Sequence, residues 1–302
     1  MTTRGTGPGE NLEPAGPAGS PPPREGRGSK MLGGRAVLVS SASTILFFAA
    51  IAAIVVLAPG SKVVAERFFS PFHLKQSFLG TQSEPSVVGA FLLNVEIFMV
   101  SEVLILILAL VIAVVRQIPG PAFFPFRMVA IAYTDLFRGV PLILVLYMIG
   151  FGVPGLGLGG VSYLPDVTYG IIALVLVYSA YVTEVYRAGI ESVHESQNAA
   201  ARSLGLTRWQ SLRFVILPQA VRRVIPPLLN DFIGLQKDTA LVSVLGSIEA
   251  ARAAQIYSAS QSNYSSYVVA ALLFVLITIP LARFTDRLIA RDRRRREAGA
   301  VA

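Results

Sequence analysis

The chain contains no cysteine among its 302 residues. Disulfide bridges and thiolate metal sites are therefore excluded, because both require cysteine side chains. Charged residues are scarce at 15%, whereas apolar residues make up 53% of the chain. A soluble domain normally carries about 25% charged residues. The composition therefore indicates an integral membrane protein.

Two further absences narrow the chemistry. No Gly-Lys dipeptide occurs, which excludes a Walker A loop because that loop requires a lysine directly after its last glycine. His73 and His194 fall on opposite sides of the membrane in the topology predicted below, so they cannot share a metal ion. We expect no catalytic residue, no metal site and no cofactor in this chain.

Six segments are apolar enough to cross a bilayer as helices, which requires about 20 residues each. They are residues 36–58, 87–115, 128–151, 168–186, 224–248 and 264–282. If the N-terminus is inside, the cytoplasmic segments hold 20 lysine and arginine residues and the outer segments hold 4. The positive-inside rule then predicts a multi-pass protein with both termini in the cytoplasm.

The two tails carry most of the formal net charge of +8. Residues 1–35 are rich in glycine, proline and serine, and we expect a disordered cytoplasmic tail. Residues 291–302 form a basic cytoplasmic tail directly after the last apolar segment. Such a position is typical of attraction to anionic lipid, so we expect membrane lipid as a partner and no nucleic acid.

The polar loop between the fourth and fifth apolar segments has an ordered pattern. Apolar residues at helical spacing predict one short helix, and Gly205 predicts its end because glycine readily adopts left-handed backbone. Thr207 and Gln210 have the capping-box spacing that starts a second short helix. The apolar stripe consists of Ile190, Val193, Ala200, Ala201 and Leu204. Periodicity alone also fits an ordinary cytoplasmic loop packed on its own protein.

The spacing within this loop resembles the cytoplasmic coupling motif of permease subunits in binding-protein-dependent ABC importers. Ala200 and Ala201 precede Gly205 by the required three residues, and Val215-x-Leu217-Pro218 follows after nine more. Four elements in order resemble the polar amino acid branch of that family. They are FRGVP at 137–141, AYVTEVYRAGI at 180–190, LPQAVR at 217–222 and KDTAL at 237–241.

The resemblance implies an all-α integral membrane protein with the type I ABC importer transmembrane fold. Residues 36–86 would form an extra N-terminal membrane helix and an outer loop, and residues 87–290 the five-helix permease domain, with coupling helices at about 190–218. The implied function is the permease subunit of an ATP-driven amino acid importer in a bacterial cell membrane. The implied partners are two ATPase subunits that hold ATP and Mg, a second permease subunit and an extracytoplasmic solute-binding protein.

The resemblance also assigns ATPase docking to the coupling loop. The residues concerned are Glu195, Ala199, Ala200, Ala201, Gly205, Leu217 and Pro218. Ala199 departs from the family, which has a glutamate there. Glu195 lies one helical turn earlier and is a candidate replacement. A partner permease with the standard glutamate is the other possibility, and we favour a heterodimer over a homodimer.

Charges inside membrane segments cost free energy and usually have a partner or a function. Arg138 follows Asp135 by three residues, so the two can form an ion pair. Alternatively, Arg138 faces the translocation path and binds the carboxylate of an amino acid. Glu184 and Arg187 have the same spacing, and we expect a structural pair that braces the coupling loop.

For the remaining charged residues in membrane segments, the sequence allows more than one role. Lys237 and Asp238 lie in a helix that we expect to begin at Pro226-Pro227. They either contribute to a substrate path or gate or form a structural pair. Glu96 and Glu102 lie six residues apart, so they line an interior surface or bond to neighbouring helices. Glu96 and Asp135 are included among the substrate-path candidates.

Two other functions remain possible at this point. One is an ion-gradient-driven secondary amino acid transporter, with Glu96, Glu102 and Asp135 as its relay. Such transporters are typically built from two homologous membrane halves, which this sequence does not have. The other is a membrane scaffold or sensor whose basic tails bind lipid. Neither explains the spacing of the coupling loop.

Overall fold

The computed structural model describes residues 34–118 and 120–300, and all secondary structure within them is helical. The chain divides into two units, residues 1–61 and 62–302. In the first unit, α1 (Gly34–Leu57) contains an apolar stretch of 19 residues, long enough to cross a bilayer. The predicted disordered tail lies outside the described residues, except that its last two residues begin α1.

Two short helices and one long helix begin the second unit. They are α2 (Ser61–Phe68), α3 (Pro71–Leu79) and α4 (Val87–Gln117). Ser86 caps α4, because its side chain accepts a hydrogen bond from the Gly89 amide at 3.0 Å. All 31 residues of α4 belong to one candidate membrane span, the longest such span in the described residues.

The third apolar segment is a broken helix. After a 3₁₀ turn at Pro121–Phe123 come α5 (Phe124–Gly139), α6 (Leu142–Tyr147), a π-turn (Met148–Gly152) and α7 (Val153–Gly155). The chain bends by 108° at the break. A straight helix over 128–151 was therefore the wrong prediction. Pro141 offers no amide hydrogen and forces Val140 into extended backbone (φ −94, ψ 129), so the helix ends there.

The central helix of the second unit is α8 (Asp166–Glu191), which packs against α4, α5 and α6. The close packing excludes water, and the shared core is apolar. Its fully buried side chains include Ile97, Ile105, Leu146, Tyr169 and Leu174. Through this core, α8 fixes the positions of the elements around it.

The polar loop leads into a continuous helical segment. α9 (Glu195–Ser203) is followed by α10 (Arg208–Ser211), a π-turn (Leu212–Ile216) and α11 (Leu217–Asp238). Pro226 and Pro227 lie inside α11, which already begins at Leu217. The prediction that the helix begins at these prolines was therefore wrong. The predicted span 224–248 is likewise not one helix, because α11 gives way to a 3₁₀ helix at Thr239–Leu245.

The last two helices are α12 (Ala250–Gln261) and α13 (Ser265–Ala300). α13 includes an apolar span at Ser265–Arg291 and continues through most of the predicted basic tail as helix. A second core joins α12, α13 and the start of α4. In the described residues, four helices and one bent pair are long and apolar enough to cross a membrane. The all-α membrane fold is thereby confirmed, with fewer uninterrupted spans than predicted.

The loop before α4 is fastened to the end of α12 by Glu84. Its carboxylate accepts hydrogen bonds from Ser260 and Gln261, both at 2.8 Å, and from Thr81. The hydrogen bonds from Thr81, Gln261 and Ser260 lower the pKa of the Glu84 carboxyl from 4.5 to about 2. The carboxylate therefore stays charged throughout the physiological pH range, and the loop before α4 stays joined to the end of α12.

Gly189 lets α8 and α11 approach each other closely. A Cβ atom at this position would collide with the side chain of Val224 on α11. Any larger residue here would require the Val224 side chain or α11 to shift. The two helices that line the site described next are therefore in direct contact at the end of α8 and the first part of α11.

Candidate functional site

A cavity of about 440 Å³ lies between the α5–α6 break, α8 and α11. Three of the sequence elements identified above meet at its wall: FRGVP, AYVTEVYRAGI and KDTAL. The polar side chains lining it are Arg138, Tyr178, Tyr181, Asn230, Asp231 and Asp238. The fold thus brings together residues that are up to 100 positions apart, from Arg138 to Asp238.

A second cavity of about 440 Å³ continues along the same two helices. It shares Arg138, Tyr181 and Asp231 with the first cavity and extends to Ser192 and Arg223. At 1.5 Å per residue, the stretch of α8 involved is about 21 Å long. The two cavities together follow this length of α8 and α11 and form one path, with Arg138, Tyr181 and Asp231 at the wall that they share.

Arg138 lies at the end of α5 and is directed towards α8. Its guanidinium lies 5.9 Å from the ring centre of Tyr181, in cation–π geometry, and 4.0 Å from Oε2 of Glu184. The Tyr181 hydroxyl also donates a hydrogen bond to the Arg138 carbonyl oxygen at 3.2 Å. The side chain remains 42% exposed, so a ligand in the cavity can reach it.

The alternative ion pair between Arg138 and Asp135 is not formed. Asp135 is exposed, and no ion pair involves it among the residues that the structure describes. The physical reason is that Glu184 lies on the neighbouring helix within reach of the guanidinium. The packing of α5 on α8 therefore overrides the local spacing within α5.

Two carboxylates face the cavity from α11. Oδ2 of Asp238 accepts a hydrogen bond from the Tyr178 hydroxyl at 2.7 Å. Oδ2 of Asp231 is buried and has no hydrogen-bond partner within the described part of the chain. A buried carboxylate oxygen without a donor is costly, so Asp231 is a candidate to bind a ligand that brings one.

Asp231 was missed by the sequence analysis, although a signal existed. It precedes Asp238 by seven residues, which is two helical turns, so both acids lie on one face of α11. By contrast, Lys237 is exposed and lines neither cavity, and no ion pair joins it to Asp238 in the described residues. Glu96 is also exposed and lines neither cavity, while Glu102 is half-buried in α4.

Three guanidinium groups surround the Glu184 carboxylate, which lies at the wall of the second cavity. Arg187 contacts it at 2.7 Å, Arg116 forms a second ion pair, and Arg138 lies at 4.0 Å. Arg116 also donates to the Thr134 hydroxyl at 3.0 Å, which ties α4 to α5. The predicted contact of Glu184 with Arg187 is thus present. Arg116 was not recognised because it lies 68 residues away in the sequence.

The polar loop is organised around Gly205, which has a left-handed φ of 83° as predicted. The Leu206 amide donates to the Ala201 carbonyl at 3.2 Å and the Gly205 amide to the Arg202 carbonyl at 3.0 Å. These two bonds form a Schellman motif that ends α9.

The predicted capping box of Thr207 and Gln210 is also present and starts α10. The prediction that one short helix carries an apolar stripe from Ile190 to Leu204 was wrong. Ile190 belongs to α8, and α9 begins only at Glu195, where the His194 ring accepts a hydrogen bond from the Ser196 amide at 3.2 Å.

The surface of the α9–α10 segment is open and presents apolar side chains among polar ones. Of its alanines, only Ala201 is buried, at 4%, whereas Glu195, Ala199 and Ala200 are exposed. Leu217 and Pro218 at the start of α11 are exposed as well. Large apolar side chains are also uncovered: Leu204 (82%), Trp209 (66%) and Phe214 (64%). Apolar patches of this kind mark surfaces that bind another protein.

Comparison with known proteins relates these features to a single family. Residues 121–295 match the family described as "binding-protein-dependent transport system inner membrane component". The chain is 36% identical over 177 residues to the probable glutamine ABC transporter permease protein GlnM of Bacillus subtilis. That match covers 58% of this chain and 79% of the relative. It is also 31% identical over 207 residues to the arginine transport system permease protein ArtQ of the same species, covering 68% of this chain and 92% of ArtQ.

Solved structures give the same result for the fold. The chain resembles the crystal structure of an amino acid ABC transporter with histidines, at a TM-score of 0.62 and 30% identity, over 68% of this chain and 93% of that one. It also resembles the inward-facing MetNI methionine ABC transporter, at a TM-score of 0.56 and 18% identity, over 68% and 95%. The second likeness concerns the fold alone.

The turn at Gly205 gives a first test. No atom lies within 4 Å of a Cβ built there, so substitution changes backbone strain without a steric clash. We expect Gly205→Ala to weaken the turn by about 1–2 kcal/mol, because alanine disfavours left-handed backbone. Gly205→Asn is the matched control, since asparagine adopts this conformation more readily. Hydrogen exchange at the 205 and 206 amides should accelerate in the alanine variant and much less in the asparagine variant. Equal exchange in both variants would contradict the assignment.

Proposed function

The chain belongs to the family of inner membrane components of binding-protein-dependent transport systems, and we propose that it is the permease subunit of an ATP-driven importer of polar amino acids. Members of this family are not themselves catalytic. The relatives named for glutamine and arginine transport support the substrate class. The observation that carries the proposal is the polar path of Arg138, Asp231 and Asp238 between α8 and α11.

The chemistry of this path suits a zwitterion. A guanidinium binds a carboxylate through two parallel hydrogen bonds, so Arg138 would hold the carboxylate of the amino acid. The unpartnered oxygen of Asp231 and the carboxylate of Asp238 would accept hydrogen bonds from the ammonium group. Bringing both charges of the substrate to fixed partners would replace the water that it loses on entering the membrane.

The α9–α10 segment would dock the ATPase. Its exposed apolar side chains, Leu204, Trp209 and Phe214, offer the contact surface. Because α10 continues through a π-turn into α11, a push on this segment would be transmitted to the helix that lines the path. Two ATPase subunits would supply the energy by binding ATP with Mg, neither of which this chain is expected to hold. A change of this kind is a two-state switch between inward and outward opening.

The remaining partners follow from the same assignment. The protein is a multi-pass component of the inner membrane, and the 20-to-4 distribution of basic residues favours cytoplasmic termini. A solute-binding protein would then deliver the amino acid to the outer face, and membrane lipid would surround the helices. The alternative of an ion-gradient-driven transporter has no support from the comparisons. Two of its three proposed relay carboxylates, Glu96 and Asp135, are exposed and line neither cavity.

Arg138→Lys tests the substrate path. Lysine keeps the charge but loses the planar pair of donors, so we expect transport to fall about tenfold or more while basal ATPase activity and complex yield persist. Uptake and ATP hydrolysis by the reconstituted complex are the measurements. Asp135→Asn, at an exposed position without an ion pair in the described residues, is the control and should leave uptake near wild type. A loss of complex yield in Arg138→Lys would instead indicate a structural role through Glu184.

The alanine at position 199 is relevant to whether the second permease subunit is a copy of this chain or a different one. We propose a heterodimer, in which the second permease supplies the family's glutamate at its own docking site. Both Glu195 and Ala199 are exposed on α9, four residues apart, so Glu195 can approach the same surface. Ala199→Glu should then change ATPase activity by no more than about twofold, because exposed ion pairs contribute little. Purification of an active transporter with this chain as its only membrane subunit would overturn the heterodimer.

A further inference from the structure

Glu249 is fully buried and has no part in the path described above. It caps the start of α12: Oε1 accepts from the Arg252 amide at 2.8 Å and Oε2 from the Ala251 amide at 2.9 Å. Burial raises the pKa of its carboxyl, and the hydrogen bonds from Ala251, Asn94 and Arg252 oppose that change. No ion pair involves Glu249 among residues 34–118 and 120–300. Its charge is therefore met by dipoles and neutral donors.

Asn94 connects this cap to the end of α11. Its side-chain amide nitrogen donates to Oε2 of Glu249 at 2.9 Å and to the Thr239 hydroxyl at 3.1 Å. Its side-chain oxygen accepts from the Ala250 amide at 3.0 Å. Both amide hydrogens and the oxygen are thereby used, and the side chain is only 2% exposed. Asn94 thus joins α4 to the 3₁₀ helix that begins at Thr239 and to the start of α12.

Thr239 brings the network to the wall of the cavity. It directly follows Asp238, and its own hydroxyl donates to the Gln236 carbonyl at 2.8 Å. The Gln236 side chain in turn accepts from Thr278 on α13 at 2.9 Å. The end of α11, where the helix changes to 3₁₀, is therefore fixed by side chains from α4 and α13. A fully bonded buried network of this kind is rigid, and each member is costly to replace.

We propose that Glu249 is a positioning residue for the substrate path: through Asn94 and Thr239 it holds the end of α11 so that Asp238 faces the cavity. This inference rests on the proposed function, because it concerns the same path. Glu249 itself does not line either cavity. Its effect is on the geometry of the carboxylate that meets the substrate.

Isosteric substitutions test the link. Glu249→Gln places an amide nitrogen against the donors of Asn94, and Asn94→Asp places one carboxylate against another. We expect either change to raise the substrate concentration for half-maximal uptake about tenfold, because a buried polar atom is left without a partner. Basal ATPase activity should change less than uptake. The double variant Asn94→Asp with Glu249→Gln restores a donor facing an acceptor between these two side chains, but the Ala251 amide, which donates to the same oxygen of Glu249, loses its acceptor. Uptake should therefore recover in part, with a half-maximal concentration below that of either single variant.

Thr239→Val is a third single variant, and it leaves the Glu249–Asn94 contact in place. It should raise the same half-maximal concentration while complex yield is retained. Unchanged half-maximal concentrations in all three single variants would overturn the inference. So would a fall in yield and basal activity without a change in that concentration, or a double variant no better than the singles.

Asp238→Asn, measured alongside, separates the two proposals. If it leaves the half-maximal concentration unchanged, the proposed substrate path is wrong. If it raises that concentration while the Glu249, Asn94 and Thr239 variants do not, only the positioning role fails. Substrate binding by the complex in detergent, measured by calorimetry, gives a readout independent of ATP hydrolysis.

Discussion

The ion pairs of the Glu184 carboxylate are the interactions on which the packing of α4, α5 and α8 depends. A charge within a membrane helix is unfavourable unless it is paired, and here one carboxylate serves Arg116, Arg187 and Arg138. The ion pair with Arg116 joins α4 to α8, and the approach of Arg138 brings in α5. Because these helices are held together at Glu184, the path between α8 and α11 has a fixed wall on one side.

The other wall is a single connected helical element that runs from the α9–α10 loop to the end of α11. It begins with the Schellman turn at Gly205, continues through α10 and the π-turn, and lines the path as α11. At Asp238 the helix changes to 3₁₀, and the Asn94–Glu249 network holds that end. A movement of the proposed docking surface would therefore be passed along this helix to the cavity, and the far end of the helix, at Asp238, is anchored. This arrangement suits transmission of a rigid-body shift.

Local rules allowed much of this to be predicted. The left-handed Gly205 and the capping box at Thr207 depend on neighbouring residues only, and both are present. Predictions failed where distant residues decide the outcome. The pair of Arg138 with Asp135 was displaced by Glu184, which no spacing rule could reveal. The buried contact of Asn94 with Glu249 spans 155 positions and could not be read from either sequence neighbourhood. The break at Pro141 was foreseeable from proline chemistry, but the apolar run around it concealed it.

The central claim is that the α8–α11 cavity is the route of the substrate, opened alternately by the ATPase. The absence of cysteine allows a direct measurement, because a single introduced thiol has no background. Asn230→Cys lies at the cavity wall, and Leu272→Cys, on α13 and 60% exposed, is the control outside it. The account predicts that a charged, membrane-impermeant thiol reagent labels position 230 alone, that the transported amino acid protects it, and that trapping the ATPase with ATP changes the side from which it is labelled. Labelling at position 230 that is insensitive to both the amino acid and ATP would contradict it.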